Sequence, residues 1–121
     1  MRASLSWNQP GTETGGRHNE GNALNNLGLA LREVRRFEEA ITANQDAAAI
    51  YRETGGRHRE GGALNNLGLA PRYVRRSEEA ITAHQDAAAI YRETEDRHRQ
   101  GTALNNLEQD RTEQNREKQE R

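Results

Sequence analysis

Residues 13–52 and 53–92 of this 121-residue chain are two copies of one forty-residue unit. They differ only at 19/59, 22/62, 31/71, 33/73, 37/77 and 44/84, so 34 of 40 positions are identical. A third copy opens at 93–107, ETEDRHRQGTALNNL, then gives way to EQDRTEQNREKQER at 108–121. Repetition at a fixed period of roughly 20 to 50 residues constrains the fold more than any other feature, because so small a unit cannot bury its apolar face alone and must stack on its neighbour. The expected organisation is an irregular segment at 1–12, a repeat array at 13–107 and a polar C-terminal helix extension or tail at 108–121. Pro10-Gly11 marks a turn before the array. Trp7 either covers an exposed apolar end or belongs to a disordered segment.

Composition alone points away from a fold. A mean hydropathy of -1.20, with 31% hydrophobic and 31% charged residues, suits a disordered chain, and only the spacing of the apolar residues argues otherwise. Ala23, Leu24, Leu27, Ala30, Leu31 and Val34 fall on one stripe of a helix, and Phe37, Ala40, Ile41, Ala47, Ala48 and Tyr51 on another. Only Arg35-Arg36 lies between the stripes, which leaves room for a tight antiparallel turn. Glycines in ETGGR can take the left-handed conformation that ends a helix. The fold class is all-α, tandem antiparallel helical hairpins, with helices expected at 17–34, 37–53, 57–74, 77–93 and 97–118.

Each unit resembles a tetratricopeptide repeat. Leu24, Leu27, Gly28, Leu31, Ala40 and Ala47 stand at that family's signature positions in the first copy, as do Leu64, Leu67, Gly68, Ala80 and Ala87 in the second. The forty-residue spacing is most similar to the extended subclass of spindle-orientation adaptors, kinesin light chains and bacterial repeat proteins. The resemblance implies a short right-handed solenoid of about two and a half units. Three departures stand out: Arg35 and Arg75 replace the turn glycine, Pro71 replaces a large apolar residue, and Ser77 replaces Phe37. A proline inside a helix costs about 3 kcal/mol. If Ser77 faces the pocket that Phe37 fills, a further loss of about 3 kcal/mol follows, making the second unit the weak one. In the last segment, Glu113 with Arg116 and Glu117 with Arg121 are at helix-neighbour spacing, so the final helix is expected to start packed and end solvated.

The resemblance also implies a concave groove, lined by the first helix of each unit, that takes an extended peptide or a partner helix. By position it presents Asn22, Asn25, Asn26, Leu29, Arg32 and Glu33, then Gly62, Asn65, Asn66, Leu69, Arg72 and Tyr73, then Thr102, Asn105 and Asn106. Two roles are open to Asn26, Asn66 and Asn106: an amide clamp on a peptide backbone, or a cap or bridge between helices of the array. Arg32 and Arg72 either meet a carboxylate of an acidic partner or lie on a solvated face. The expected function is a non-enzymatic module for a protein or peptide ligand, with self-association through open ends around Leu104 and Leu107. The alternatives are a structural remnant of a longer array, or weak nucleic-acid contact through Arg35-Arg36 and Arg75-Arg76.

Other classes find little support. No metalloprotease, nucleophile-elbow or phosphate-loop string is present, so no catalytic residue or cofactor is expected. His18, His58 and His98, one repeat apart, cannot share a metal ion, because packed helices lie about 8 to 10 Å apart; they read as helix-start residues. His84, on the apolar stripe, reads as a satisfied interhelix histidine. Glu38-Glu39 and Glu78-Glu79 neutralise the arginine doublets, so no nucleic-acid partner is expected. A net charge of -1, no cysteine and no long apolar run suit a cytoplasmic protein without a membrane partner.

Overall fold

The computed structural model of the protein describes residues 12–120, with side chains from residue 16 onward. Trp7, the Pro10-Gly11 turn and Arg121, the expected partner of Glu117, lie outside the described residues. Five helices follow one another: α1 (Thr12–Glu33), α2 (Phe37–Thr54), α3 (Arg57–Leu67), α4 (Ser77–Glu93) and α5 (Arg97–Gln119). Each packs against the next, and α1 also touches α3. Two helical hairpins and a long single helix thus form a short all-α solenoid.

Alanine makes the close packing possible. Ala40, Ala47, Ala63, Ala70, Ala80, Ala87 and Ala103 are fully shielded from solvent, and residues this small let helix axes approach closely. One core cluster joins Ala47 and Tyr51 of α2 to Ala63 and Leu64 of α3, then to Ile90 and Tyr91 of α4 and Ala103 of α5. The repeat stripe does not behave alike in every unit. Ala63 of α3 and Ala70 in the turn after it are buried on α2, whereas their counterparts Ala23 and Ala30 on α1 are exposed, with Leu27 at 48%. Among the described residues no helix covers that side of α1.

The turns explain two departures from the repeat pattern. Arg35 and Arg75 sit at φ 64° and 62°, and Glu95 at φ 61°, where Gly55 stands at φ 80° in the preceding unit. Left-handed backbone costs a non-glycine residue about 1 to 2 kcal/mol. Arg35 recovers contact by lying over the stacked rings of Phe37 and Tyr73, and Arg75 by donating to Glu120 at 2.5 Å.

Two expectations need correction here. Pro71 is not inside a helix: α3 stops at Leu67, and after a turn the chain resumes as a 3-10 segment over Pro71–Val74, with the proline in its first turn. A missing N–H is tolerated there, so the full penalty of an interior proline is avoided. Ser77 is not simply a truncated Phe37 either: it borders a cavity of about 320 Å³, and its Oγ donates to Glu117 Oε2 at 2.6 Å in a buried contact. The polar end of α5 is therefore anchored rather than solvated, although Glu113 and Arg116 do pair as the spacing suggested, at 3.0 Å.

Candidate functional site

The middle of α1, the length of α3, the start of α5 and the last turns of α2 and α4 gather along one face. Two cavities lie there side by side, of about 330 and 390 Å³. Asn22, Asn25, Asn26, Tyr51, His58 and Arg59 line one, Asn65, Asn66, His98 and Thr102 the other, and Gly62, Tyr91 and Arg99 border both. Seven groove positions read from the sequence, Asn22, Asn25, Asn26, Gly62, Asn65, Asn66 and Thr102, are brought together here.

The asparagines form a ladder between units. Asn66 Nδ2 donates to Asn25 Oδ1 at 3.1 Å, and Asn106 Nδ2 repeats this with Asn65 Oδ1 at 3.2 Å. Asn44 of α2 also donates to Asn25 Oδ1, at 2.8 Å. Of the two roles open to these residues, bridging within the array is thus occupied by Asn25, Asn65, Asn66 and Asn106. Each amide has further donor or acceptor capacity, and Asn26 is exposed with no side-chain hydrogen bond among the described residues.

The remaining groove positions fall elsewhere. Arg72 is turned into the array: its guanidinium donates to Asp110 Oδ1 at 2.9 Å and Gln109 Oε1 at 3.0 Å. Tyr73 stacks on Phe37 with ring centroids 4.9 Å apart. Leu29, Leu69 and Arg32 are half-buried outside the two cavities, and Asn105 is exposed. Arg36 and Arg76 bind Glu39 and Glu79, each through two nitrogens at 2.6 Å, which holds the Glu79 carboxyl below its ordinary range.

Tyr51, His58, Arg59, Tyr91, His98 and Arg99 were not singled out as groove residues, yet they line the cavities. Glycine was the available signal. A Cβ at Gly21 would lie 3.0 Å from the Tyr51 ring, and one at Gly61 would lie 3.2 Å from that of Tyr91, so the first glycine of GNAL and of GGAL makes room for a tyrosine thirty residues on. The Tyr51 hydroxyl donates to Asn22 Oδ1, which also accepts from Arg59 at 3.0 Å. Burial pushes both tyrosine hydroxyls above their ordinary range, with Arg59 opposing at Tyr51 and Arg99 at Tyr91. Asp96 fixes the floor: it caps α5 through the Arg99 backbone N–H at 3.0 Å and meets His58 at 2.9 Å and the Arg99 side chain at 2.8 Å. Those contacts, the backbone one foremost, hold its carboxyl well below the usual range.

His84 is the satisfied interhelix histidine expected, with one partner that was not foreseen. Fully buried, it faces the Asp110 carboxylate through Nδ1 and the Asn65 carbonyl through Nε2 at 3.1 Å. Among the described residues no group of three metal-ligating side chains is gathered, and no helix is long and apolar enough to cross a membrane. No curated protein matches the chain. The tetratricopeptide repeat family matches residues 21–58, from the middle of α1 through α2 into α3, and since the same unit returns forty residues later, the chain carries tetratricopeptide repeats.

Proposed function

We propose that the face carrying the two cavities binds an extended peptide of a partner protein. Repeats of this family generally mediate protein–protein interaction and are non-enzymatic. The observation that carries the reading is the sharing of Gly62, Tyr91 and Arg99 between cavities that recur at the period of the repeat. A peptide laid across both would meet amides at regular intervals, which suits main-chain recognition. Tyr51 and Tyr91 supply rigid contact area at little entropic cost. The peptide belongs to a protein ligand, and the reading involves no cofactor.

Asn26 is the informative residue, because it lines the groove without bridging the array. Peptides selected from a random display library on the immobilised chain supply the probe. Asn26→Ala should weaken a selected peptide by about 0.5 to 1.5 kcal/mol, the worth of one neutral hydrogen bond, without lowering the melting temperature. Asn66→Ala, which also breaks a bridge to Asn25, should lower both affinity and stability. Failure to select any peptide, or selected peptides indifferent to Asn26→Ala, Arg99→Ala and Asn66→Ala, would end the reading and leave the ladder a structural device.

A further inference from the structure

Three series of contacts run through the repeat, and each lacks its third member. Arg17 pairs with Glu53 at 2.8 Å and Arg57 with Glu93 at 2.8 Å, whereas Arg97, the next in the series, has no carboxylate partner among the described residues. His18 meets Tyr51 edge-on and His58 meets Tyr91 in the same way, but His98 has no ring partner there. A Cβ at Gly61 would lie 3.0 Å from Ile90 and 3.2 Å from Tyr91, while one at Gly101 would meet nothing within 4 Å. Leu64, under α4, is 7% exposed; Leu104, its counterpart on α5, is 47% exposed. Leu104 borders an open cavity of about 190 Å³, floored by Ala88, Ala89 and Leu107.

All of these vacant positions ask for one object. In both units where the partners are present, they come from a single helix ending Ile-Tyr-Arg-Glu, at 50–53 and 90–93. The residues just after Leu107 do not supply it. Where α1 and the α3 segment turn back at Arg35 and Arg75, α5 runs straight on through Gln119, and its extension is pinned beside α4 by Asp110, Glu117 and Glu120. Neither α2 nor α4 of a second copy is free, since each is already enclosed by its own neighbours.

We infer that the face formed by α4 and α5 is a docking seat for one amphipathic helix of a partner protein, patterned like α4. That helix carries a small-residue stripe and, near its C-terminal end, an apolar-aromatic-x-acidic sequence. The aromatic ring fills the space over Gly101 beside His98, and the acidic residue pairs with Arg97. Repeat geometry supplies the pose, because α3 and α4 already form the same interface one unit earlier. This seat adjoins the peptide groove at His98 but does not depend on a peptide being bound there.

The chain's own segment Ser77–Glu95, made as a labelled peptide, is the probe, titrated with the full chain by fluorescence anisotropy. Saturable binding accompanied by gain of helical circular dichroism is expected. Leu104→Glu should weaken it at least about tenfold, a difference of about 1.4 kcal/mol, and Gly101→Leu should do likewise by filling the ring's place. Both positions are open to solvent, so each variant is expected to keep the parent melting profile. Charge exchange gives the sharper reading: Arg97→Glu should weaken the parent peptide a fewfold, and a Glu93→Arg peptide should recover that loss on the Arg97→Glu chain. Leu27→Glu, on the uncovered side of α1, should change nothing. Absence of saturable binding, binding indifferent to Leu104→Glu, or loss with Leu27→Glu would overturn the assignment. So would a Leu104-dependent dimer of the chain alone, which would give the seat to a second copy.

Discussion

The seam between α2 and α3 and the seam between α4 and α5 start from nearly the same second helix, yet opposite chemistry holds them. In the first, Ala40 and Ile41 pack on Ala70, with Phe37, Leu67 and Val74 around them, while Asn44 turns away to α1 and makes a neutral bond to Asn25. In the second, Ser77 replaces Phe37 and His84 replaces Asn44, and they face Glu117 and Asp110. Asp110 stands where Ala70 stands one unit earlier, so histidine and aspartate depart from the repeat together. Copies of a repeat are therefore not interchangeable parts. A substitution that looks like damage within its own unit can be answered by the unit that follows.

The largest expected effect comes from breaking the polar seam. Asp110→Ala leaves His84 buried without its carboxylate and Arg72 without its main partner, and loss of one member of a buried ion pair costs about 3 to 5 kcal/mol. Urea unfolding measures it. Transplanting the first seam into the second, with His84→Asn and Asp110→Ala together, should restore the part of that loss that falls on His84, since Asn44 and Ala70 stand at these two positions one unit earlier. A double variant no better than Asp110→Ala would mean that the two seams cannot exchange their chemistry.

Pro71→Leu copies Leu31 of the first unit into the second. With a backbone N–H restored, α3 should continue toward residue 73 as α1 does. The Leu67 carbonyl then regains a donor, worth about 1 kcal/mol, and the melting temperature rises by a few degrees. Far-ultraviolet circular dichroism should show the added helix. An unchanged helical signal would mean that the break belongs to the packing of Tyr73 on Phe37 rather than to the proline.

The smallest effect concerns the ends of the two hairpins, Gly55-Gly56 in the first and Glu95-Asp96 in the second. Because the folded state holds the Asp96 carboxyl below its ordinary range, its contribution is present above about pH 4 and fades as acid protonates it. Asp96→Asn keeps a capping side chain but removes the charge. The parent should therefore be more stable than the variant above about pH 4, with the gap closing as pH falls. A gap that stays constant down through the acid range would assign the effect to capping geometry instead of charge.

The forty-residue period and the helical spacing within it determined the array, the five helices and the alanine seams, because burying a stripe too narrow to stand alone requires a neighbour of the same shape. Gly28 and Gly68 were legible only as signature positions of the family; the structure supplies the reason, since a Cβ there would lie 2.5 Å from Asn44 and His84 respectively. The Asn ladder was legible only as a pair of alternatives, since an amide that can bridge helices can also bind a peptide. Tertiary structure alone decided where the polar residues went. Residues 108–120 read as a solvated end because they contain no apolar side chain, and a sequence pattern records apolar faces but not which carboxylate meets which arginine or histidine. Asp110, Glu117 and Glu120 find Arg72, His84, Ser77 and Arg75 at separations of 26 to 45 residues. Polar pairing at that distance depends on the positions of both helices, which exist only once the chain has packed.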